Sequence, residues 1–84
     1  MQVDSCIKGM AGLAGVPLTT VSKDLGHSVA WGSNVGKAGR SPALGTVADV
    51  ADVLGYDVAI IDRKTGEAVA VIEPPRRASA DDRE

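Results

Sequence analysis

The apolar positions of this chain follow two different periods, and the change between them divides the sequence near residue 55. Before it, apolar residues recur every three or four positions, as they do along one face of a helix. After it, two short runs of branched apolar residues flank a polar connection that ends in glycine, which is typical of a β-hairpin. The pattern predicts a fold that is mainly α with a small β part, namely four helices followed by a C-terminal β-hairpin.

The helical period covers four segments, and each has recognisable end signals. Gly26 and Gly55 follow the last periodic residues of two segments, where glycine commonly ends a helix. Short polar residues precede several segments and are expected to cap them. The predicted helices span residues 3–14, 18–25, 28–37 and 43–54. The predicted caps are Asp4 or Ser5 for the first helix, Ser28 for the third and Ser41, with Pro42 in the first turn, for the fourth.

The strand-like runs are DVAIID (57–62) and EAVAVI (67–72). A two-stranded hairpin is marginal by itself, so we expect it to pack on the helices or to pair with another chain. Pro74 and Pro75 end the second run because proline lacks the amide donor that a strand ladder needs. We therefore predict one helical domain over residues 1–73, with its hairpin at 57–72, and a polar, disordered tail over residues 74–84.

Size and composition limit what the chain can be. Its 84 residues form one domain at most, and with no Phe, one Trp and one Tyr the core must consist of small aliphatic side chains. The formal net charge of −2 does not by itself favour nucleic acid. However, residues 18–42 carry three cations, Lys23, Lys37 and Arg40, against one anion, Asp24. This local excess of positive charge is compatible with DNA binding.

The candidate chemistry is sparse. The single Cys6 cannot form an intrachain disulfide, which fits a reducing cytoplasm, and no apolar run approaches the length of a membrane span. One His and one Cys provide neither a metal-ligand cluster nor a catalytic constellation. We expect a cytoplasmic protein that is not an enzyme, needs no cofactor and does not contact a membrane.

Residues 15–55 carry a series of landmarks that agree with a known family in type, order and spacing. They are Gly15-Val16-Pro17-Leu18, Leu25-Gly26-His27-Ser28, Ser33-Asn34-Val35, Arg40-Ser41-Pro42-Ala43-Leu44 and Val53-Leu54-Gly55. This segment, about half of the chain, resembles the Cro and phage-repressor helix-turn-helix family of transcriptional regulators, the xenobiotic-response-element type.

Three positions depart from the family pattern: Pro17 replaces a capping Ser or Thr, Ser22 a small Ala, and Gly32 a buried Val or Ile. These three departures predict weaker packing between the helices of the motif.

A second alignment of this sequence with a helix-turn-helix motif is also possible. Residues 10–25 resemble the LacI-type motif, in which Gly15 is the turn glycine and 18–25 is the recognition helix. Asp24 then falls where an apolar residue belongs, and the turn at 26–28 and the loop at 40–42 have no role. We therefore prefer the first register.

In the preferred register the resemblance implies that helix 18–25 crosses the phosphate backbone and helix 28–37 enters the major groove. The implied base-reading residues are Ser28, Val29, Ala30, Ser33 and Asn34. The implied phosphate-binding residues are Thr19, Lys23, Lys37 and Arg40, which would position the protein without specifying sequence. Asn34 is suited to pair with adenine, and the apolar side chains to contact a thymine methyl.

Some of these residues have a simpler interpretation. Asn34 would equally suit the end of a frayed helix, and Lys23 and Lys37 would equally suit a solvated surface. For Trp31 we favour a place in the core or an interface over contact with a base. For His27 we favour a role as a turn residue.

The function that the resemblance implies is a sequence-specific, homodimeric transcriptional repressor of phage or mobile-element type. It would bind an inverted-repeat operator in double-stranded DNA and act by occluding a promoter, with the exposed edges of the hairpin making the dimer. The alternative is a helix-turn-helix-like protein-interaction module, either an antitoxin or a phage inhibitor of a host protein, with weak or no DNA binding. The acidic net charge of the chain and the glycines at 32 and 36 favour that alternative.

Overall fold

The structure is a computed structural model that describes residues 1–37 and 39–76, and within these residues it contains four α-helices and one antiparallel hairpin. This confirms the predicted fold class. A 3-10 turn over Val3–Ser5 precedes the first helix. The helices are α1 (Cys6–Ala14), α2 (Leu18–Asp24), α3 (Trp31–Val35) and α4 (Leu44–Leu54), and the strands are β1 (Val58–Ile61) and β2 (Ala68–Ile72).

The core lies where α1, α2 and α4 meet. Ile7, Val21 and Val50 contribute one side chain from each helix and are at most 1% exposed. Burying a side chain of this kind stabilises the fold by about 1.5–3 kcal/mol. Around this centre, α1 packs mainly on α4, while α2 packs on both α3 and α4. The core therefore consists of small aliphatic side chains, as the composition predicted.

Two helices end at the glycines that the sequence indicated. At Gly26 the backbone has φ +77°, and the next amide, that of His27, donates to the Ser22 carbonyl at 2.9 Å. At Gly55 the backbone has φ +85°, and the Tyr56 amide donates to the Ala51 carbonyl at 2.8 Å. Glycine adopts these left-handed conformations without the steric cost that a Cβ brings, so it closes the last turn of each helix.

The predicted side-chain caps of the helices are wrong, although α2 begins at Leu18 as predicted and Ser5 is the N-cap residue of α1. No side chain at the N-cap positions of α1 to α4 forms a capping hydrogen bond. Ser5 donates its hydroxyl to the Gln2 carbonyl instead, while Asp4 accepts from the Gly39 amide. Neither Ser28 nor Ser41 directly precedes a helix, since the N-caps of α3 and α4 are Ala30 and Ala43.

The third helix is the element that departs most from its predicted span of 28–37. The chain first makes a turn in which the Trp31 amide donates to the Ser28 carbonyl at 3.0 Å. Helix α3 follows as five residues and ends before Gly36. The glycines at 32 and 36 disfavour a longer helix by about 1 kcal/mol each relative to alanine, so tertiary contacts must hold this segment in place.

The hairpin pairs Val58 with Ile72 at its base, and a bulge between Ile60 and Ile61 shifts the register near the turn. At the turn, the Asp62 amide donates to the Glu67 carbonyl at 2.8 Å. The hairpin reaches the helices through β1, which contacts α4. Four branched side chains remain more than half exposed: Ile60, Ile61, Val69 and Val71.

The chain after β2 folds back onto α4, so the predicted tail begins too early at residue 74. Pro74 is buried, and Pro75 lies against Gly45, where an added Cβ would stand 3.0 Å from the proline Cγ. Arg76 donates its backbone amide to Asp49 Oδ1 at 3.0 Å, and its Nε lies 3.4 Å from Asp52 Oδ2. Packing therefore extends at least to Arg76, and the remainder of the predicted tail, 77–84, lies outside the described residues.

Candidate nucleic-acid interface

The candidate interface is formed by α2, the turn after it, α3 and the loop that leads to α4. Helices α2 and α3 pack directly on each other, with the Gly26 turn between them. A second turn, at Gly15 with φ +69°, joins α1 to α2, which is the turn that the LacI-type register would use. Because α1 packs mainly on α4, the pair of helices that forms a compact motif with its own turn is α2 and α3.

The five predicted base-reading residues are all exposed, but they do not all lie on a helix. Ser28, Val29 and Ala30 belong to the turn that precedes α3, so their assignment to the helix is wrong. Ser33 and Asn34 lie within α3, and the Asn34 amide donates to the Ala30 carbonyl at 3.0 Å. The predicted reading surface is therefore one turn of chain followed by one short helix.

The four predicted phosphate-binding residues are also exposed. Thr19 lies in the first turn of α2 and Lys23 in its last turn. Lys37 and Arg40 lie in the loop after α3, where the Arg40 amide donates to the Lys37 carbonyl at 3.2 Å. The structure thus places these side chains at both ends of α2 and just beyond α3.

An aspartate from the start of the chain fixes the loop that carries two of these cations. Asp4 Oδ2 accepts a hydrogen bond from the Gly39 amide at 2.9 Å. This contact holds the loop against the N-terminal segment.

The aromatic residues of the motif form a pair that the sequence interpretation missed. The rings of His27 and Trp31 stack with their centroids 4.2 Å apart and their planes within 10°. Trp31 is half-buried and packs against the core, while His27 is exposed in the turn. The signal was present in the sequence, because the two aromatic rings are only four residues apart.

Ser22 and Gly32, both noted as departures from the family pattern, meet in a single contact. Ser22 is fully buried, and its hydroxyl donates to the Leu18 carbonyl at 2.9 Å and accepts from the Gly32 amide at 2.8 Å. A Cβ at Gly32 would stand 2.8 Å from both the Leu18 oxygen and Ser22 Oγ, so no side chain fits there. The expectation that these two positions loosen the packing is wrong, since together they allow a close, hydrogen-bonded approach.

The remaining chemistry of the described residues is limited. They contain no group of His, Cys, Asp and Glu side chains that could hold a metal ion, and no pocket is found among them. Cys6 is half-buried with a free thiol. Of the helices in the described ranges, none has the length and apolar character to span a membrane.

Comparison with known proteins gives no match to this chain among protein-family models, curated proteins or solved structures. What the protein does must therefore be inferred from the residues of α2, α3 and the loop that follows them.

Proposed function

We propose that this protein is a sequence-specific DNA-binding regulator that binds an inverted-repeat operator as a homodimer and represses transcription by occluding a promoter. One observation carries the proposal. Helices α2 and α3 pack across the Gly26 turn, and all nine side chains that the family resemblance assigns to DNA contacts are exposed on this motif and its flanking loop. A motif with this arrangement can place a helix N-terminus and its preceding turn in the major groove while the other helix crosses the backbone.

The distribution of charge supports this orientation of the motif. Lys23, Lys37 and Arg40 are exposed, and no salt bridge is found for them among the described residues. If each neutralises one phosphate, the logarithm of the affinity should fall by about 2.7 per protomer for each tenfold rise in salt, at about 0.9 for each contact. This slope gives the proposal a quantitative signature.

A dimer is needed because one motif of this size contacts only a half-site. The hairpin is the element that we assign to the dimer contact. Ile60, Ile61, Val69 and Val71 are more than half exposed, and both edges of a two-stranded sheet have unpaired backbone groups. A second copy of the hairpin packed against one face of the sheet would cover the exposed apolar side chains of that face and would relate two α3 helices by twofold symmetry.

The proposal is tested by titrating the protein with DNA from upstream of its own gene and with the same DNA scrambled, each at two salt concentrations. Trp31 serves as the fluorescent probe because it is half-buried at the start of α3. We expect tighter binding to the upstream DNA and a steep loss of affinity with salt. Absence of binding to either DNA at low salt would overturn the proposal.

A second candidate function is a protein-interaction module of the antitoxin or host-inhibitor kind. The net charge of −2 and the exposed apolar side chains of the hairpin favour it. A partner held by apolar contacts would bind with little dependence on salt, in contrast to DNA. A pull-down with the whole chain, washed at low and at high salt, separates the two candidates.

A further inference from the structure

The first turn of α3 is capped by a side chain from another helix. The opening amides of a helix have no partner within it, and a polar side chain at the N-cap usually accepts from one of them. The N-cap of α3 is Ala30, which has no side-chain acceptor. The Gly32 amide donates to Ser22 Oγ on α2 instead, at 2.8 Å and in a buried position.

The same contact sets how closely the two helices can approach. The hydroxyl of Ser22 holds the backbone of α3 toward α2, while the Leu18 carbonyl and Ser22 Oγ occupy the space that a Cβ at position 32 would need. Both would stand 2.8 Å from that Cβ, and one of them is a backbone atom, which cannot move aside without moving α2. The hydrogen bond that draws α3 toward α2 and the close contacts that would exclude a side chain therefore both act on the backbone of Gly32.

We propose that Ser22 and Gly32 form a positioning pair, which fixes α3 on α2 and thereby sets how well the protein distinguishes its operator from other DNA. This inference rests on the proposed function. Ser22 is fully buried and cannot itself touch DNA. It acts through Ser33 and Asn34, which follow Gly32 directly and move with its backbone.

Specific and non-specific binding respond differently to a displaced helix. A hydrogen bond to a base edge tolerates only a few tenths of an ångström, because donor and acceptor must stay within about 2.7–3.2 Å. Lys23, Lys37 and Arg40 have long, flexible side chains that can still reach a phosphate after a small shift. Loss of the positioning pair should therefore reduce operator binding and leave non-specific binding nearly unchanged.

The test compares Ser22→Ala with the wild-type protein on operator DNA and on scrambled DNA, under conditions in which each variant is folded. We expect operator affinity to fall about tenfold, comparable to the loss of one base contact, and scrambled-DNA affinity to change less than about twofold. The control is Ala11→Gly, a change at a buried position of α1 that lowers stability without touching the α2–α3 contact. The control should keep the wild-type ratio of the two affinities.

A second variant, Gly32→Ala, should reproduce the loss with the hydroxyl intact, because the added Cβ displaces α3. The double variant Ser22→Ala/Gly32→Ala should lose no more than the more affected single variant, since both substitutions act on one contact. An unchanged affinity ratio in Ser22→Ala, or a loss of the same size in the Ala11→Gly control, would overturn the proposal.

Amide hydrogen exchange gives a measurement that needs no DNA, and its first step uses the wild-type protein alone. The Gly32 amide should be protected to the same degree as core amides, and rapid exchange would overturn the positioning role. If the wild-type protein bound no DNA while its Gly32 amide was protected and Ser22→Ala released it, the proposed function would fail and the cap itself would stand.

Discussion

The Ile61→Lys substitution should separate the proposed dimer without unfolding the protomer. Ile61 lies on β1 beside the bulge, and 53% of its surface is exposed. Its exposed half makes a lysine acceptable in the monomer, because the ammonium group can remain in water. In a dimer that covers the hairpin, the same ammonium group would have to be desolvated.

The size of the effect follows from this exposure. Complete burial of an isoleucine is worth about 1.5–3 kcal/mol, so covering the exposed half of Ile61 contributes about 1 kcal/mol. A twofold interface contains two copies, which gives about 2 kcal/mol, or about a thirtyfold rise in the dimer dissociation constant. The cost of desolvating a charge adds to this value, so it is a lower bound.

Sedimentation velocity from low to high micromolar protein measures the association, and thermal unfolding of the monomer checks that the fold persists. The matched control is Leu13→Lys, which places the same charge at a 77% exposed leucine on α1, away from the hairpin. The control should associate as the wild-type protein does, whereas Ile61→Lys should be monomeric and should bind the operator more weakly. A wild-type protein that is monomeric at high micromolar concentration, or an Ile61→Lys variant that dimerises unchanged, would refute the hairpin interface.

Three further predictions address the reading surface and the core. Asn34→Ala should weaken operator binding by about 1–3 kcal/mol and relax the preference at one base pair, and unchanged affinity across a panel of single-base operator variants would argue against the preferred register. Lys37→Ala should weaken binding to all DNA sequences alike and flatten the salt dependence by about one unit, which titrations at several salt concentrations will measure; an unaltered slope would mean that Lys37 contacts no phosphate. Ile7→Ala should lower the free energy of unfolding by about 2–5 kcal/mol in denaturant titration, because Ile7 is 1% exposed at the centre of the core, and a loss below about 1 kcal/mol would contradict that placement.

Much of the fold could be predicted because the signals were local. The apolar stripe of residues 43–54 and the glycine after it predict α4 to within one residue, since both the period and the stop act within one turn of chain. The hairpin follows in the same way from two branched apolar runs around a glycine-ended turn. The bulge beside Ile61 could not be predicted, because it depends on how the two strands pair.

The start of α3 shows where local signals fail. Ser28 is a residue type that commonly caps a helix, yet α3 begins at Trp31, and the side chain that accepts from its Gly32 amide is Ser22, ten residues before that glycine. A hydrogen bond of that kind depends on the packing of two helices and has no signature in either segment alone. Taken separately, Ser22 and Gly32 are unfavourable departures from the family pattern. Their contact in the structure explains both, because the missing side chain at Gly32 lets its backbone approach Ser22.

The exposure of the candidate DNA-contacting residues could be predicted in every case, but their local conformation could not. Because α3 has only five residues, Ser28, Val29 and Ala30 lie in the turn before it, where the family pattern predicts a longer helix. The two glycines of this segment explain the difference, since each removes helix propensity that packing must supply. The sequence indicated those glycines as a weakness without indicating how much of the helix they would remove.

The hydrogen bond between Asp4 and the Gly39 amide has a consequence for local unfolding of the protein. Segments that share contacts tend to open together as one cooperative unit, with a free energy below that of global unfolding. Fraying of the first residues would release the loop that carries Lys37 and Arg40, so the beginning of the chain and this distant loop would become mobile in the same event. The N-terminal segment and the loop between α3 and α4 are in this sense one cooperative unit, although 35 residues separate Asp4 from Gly39.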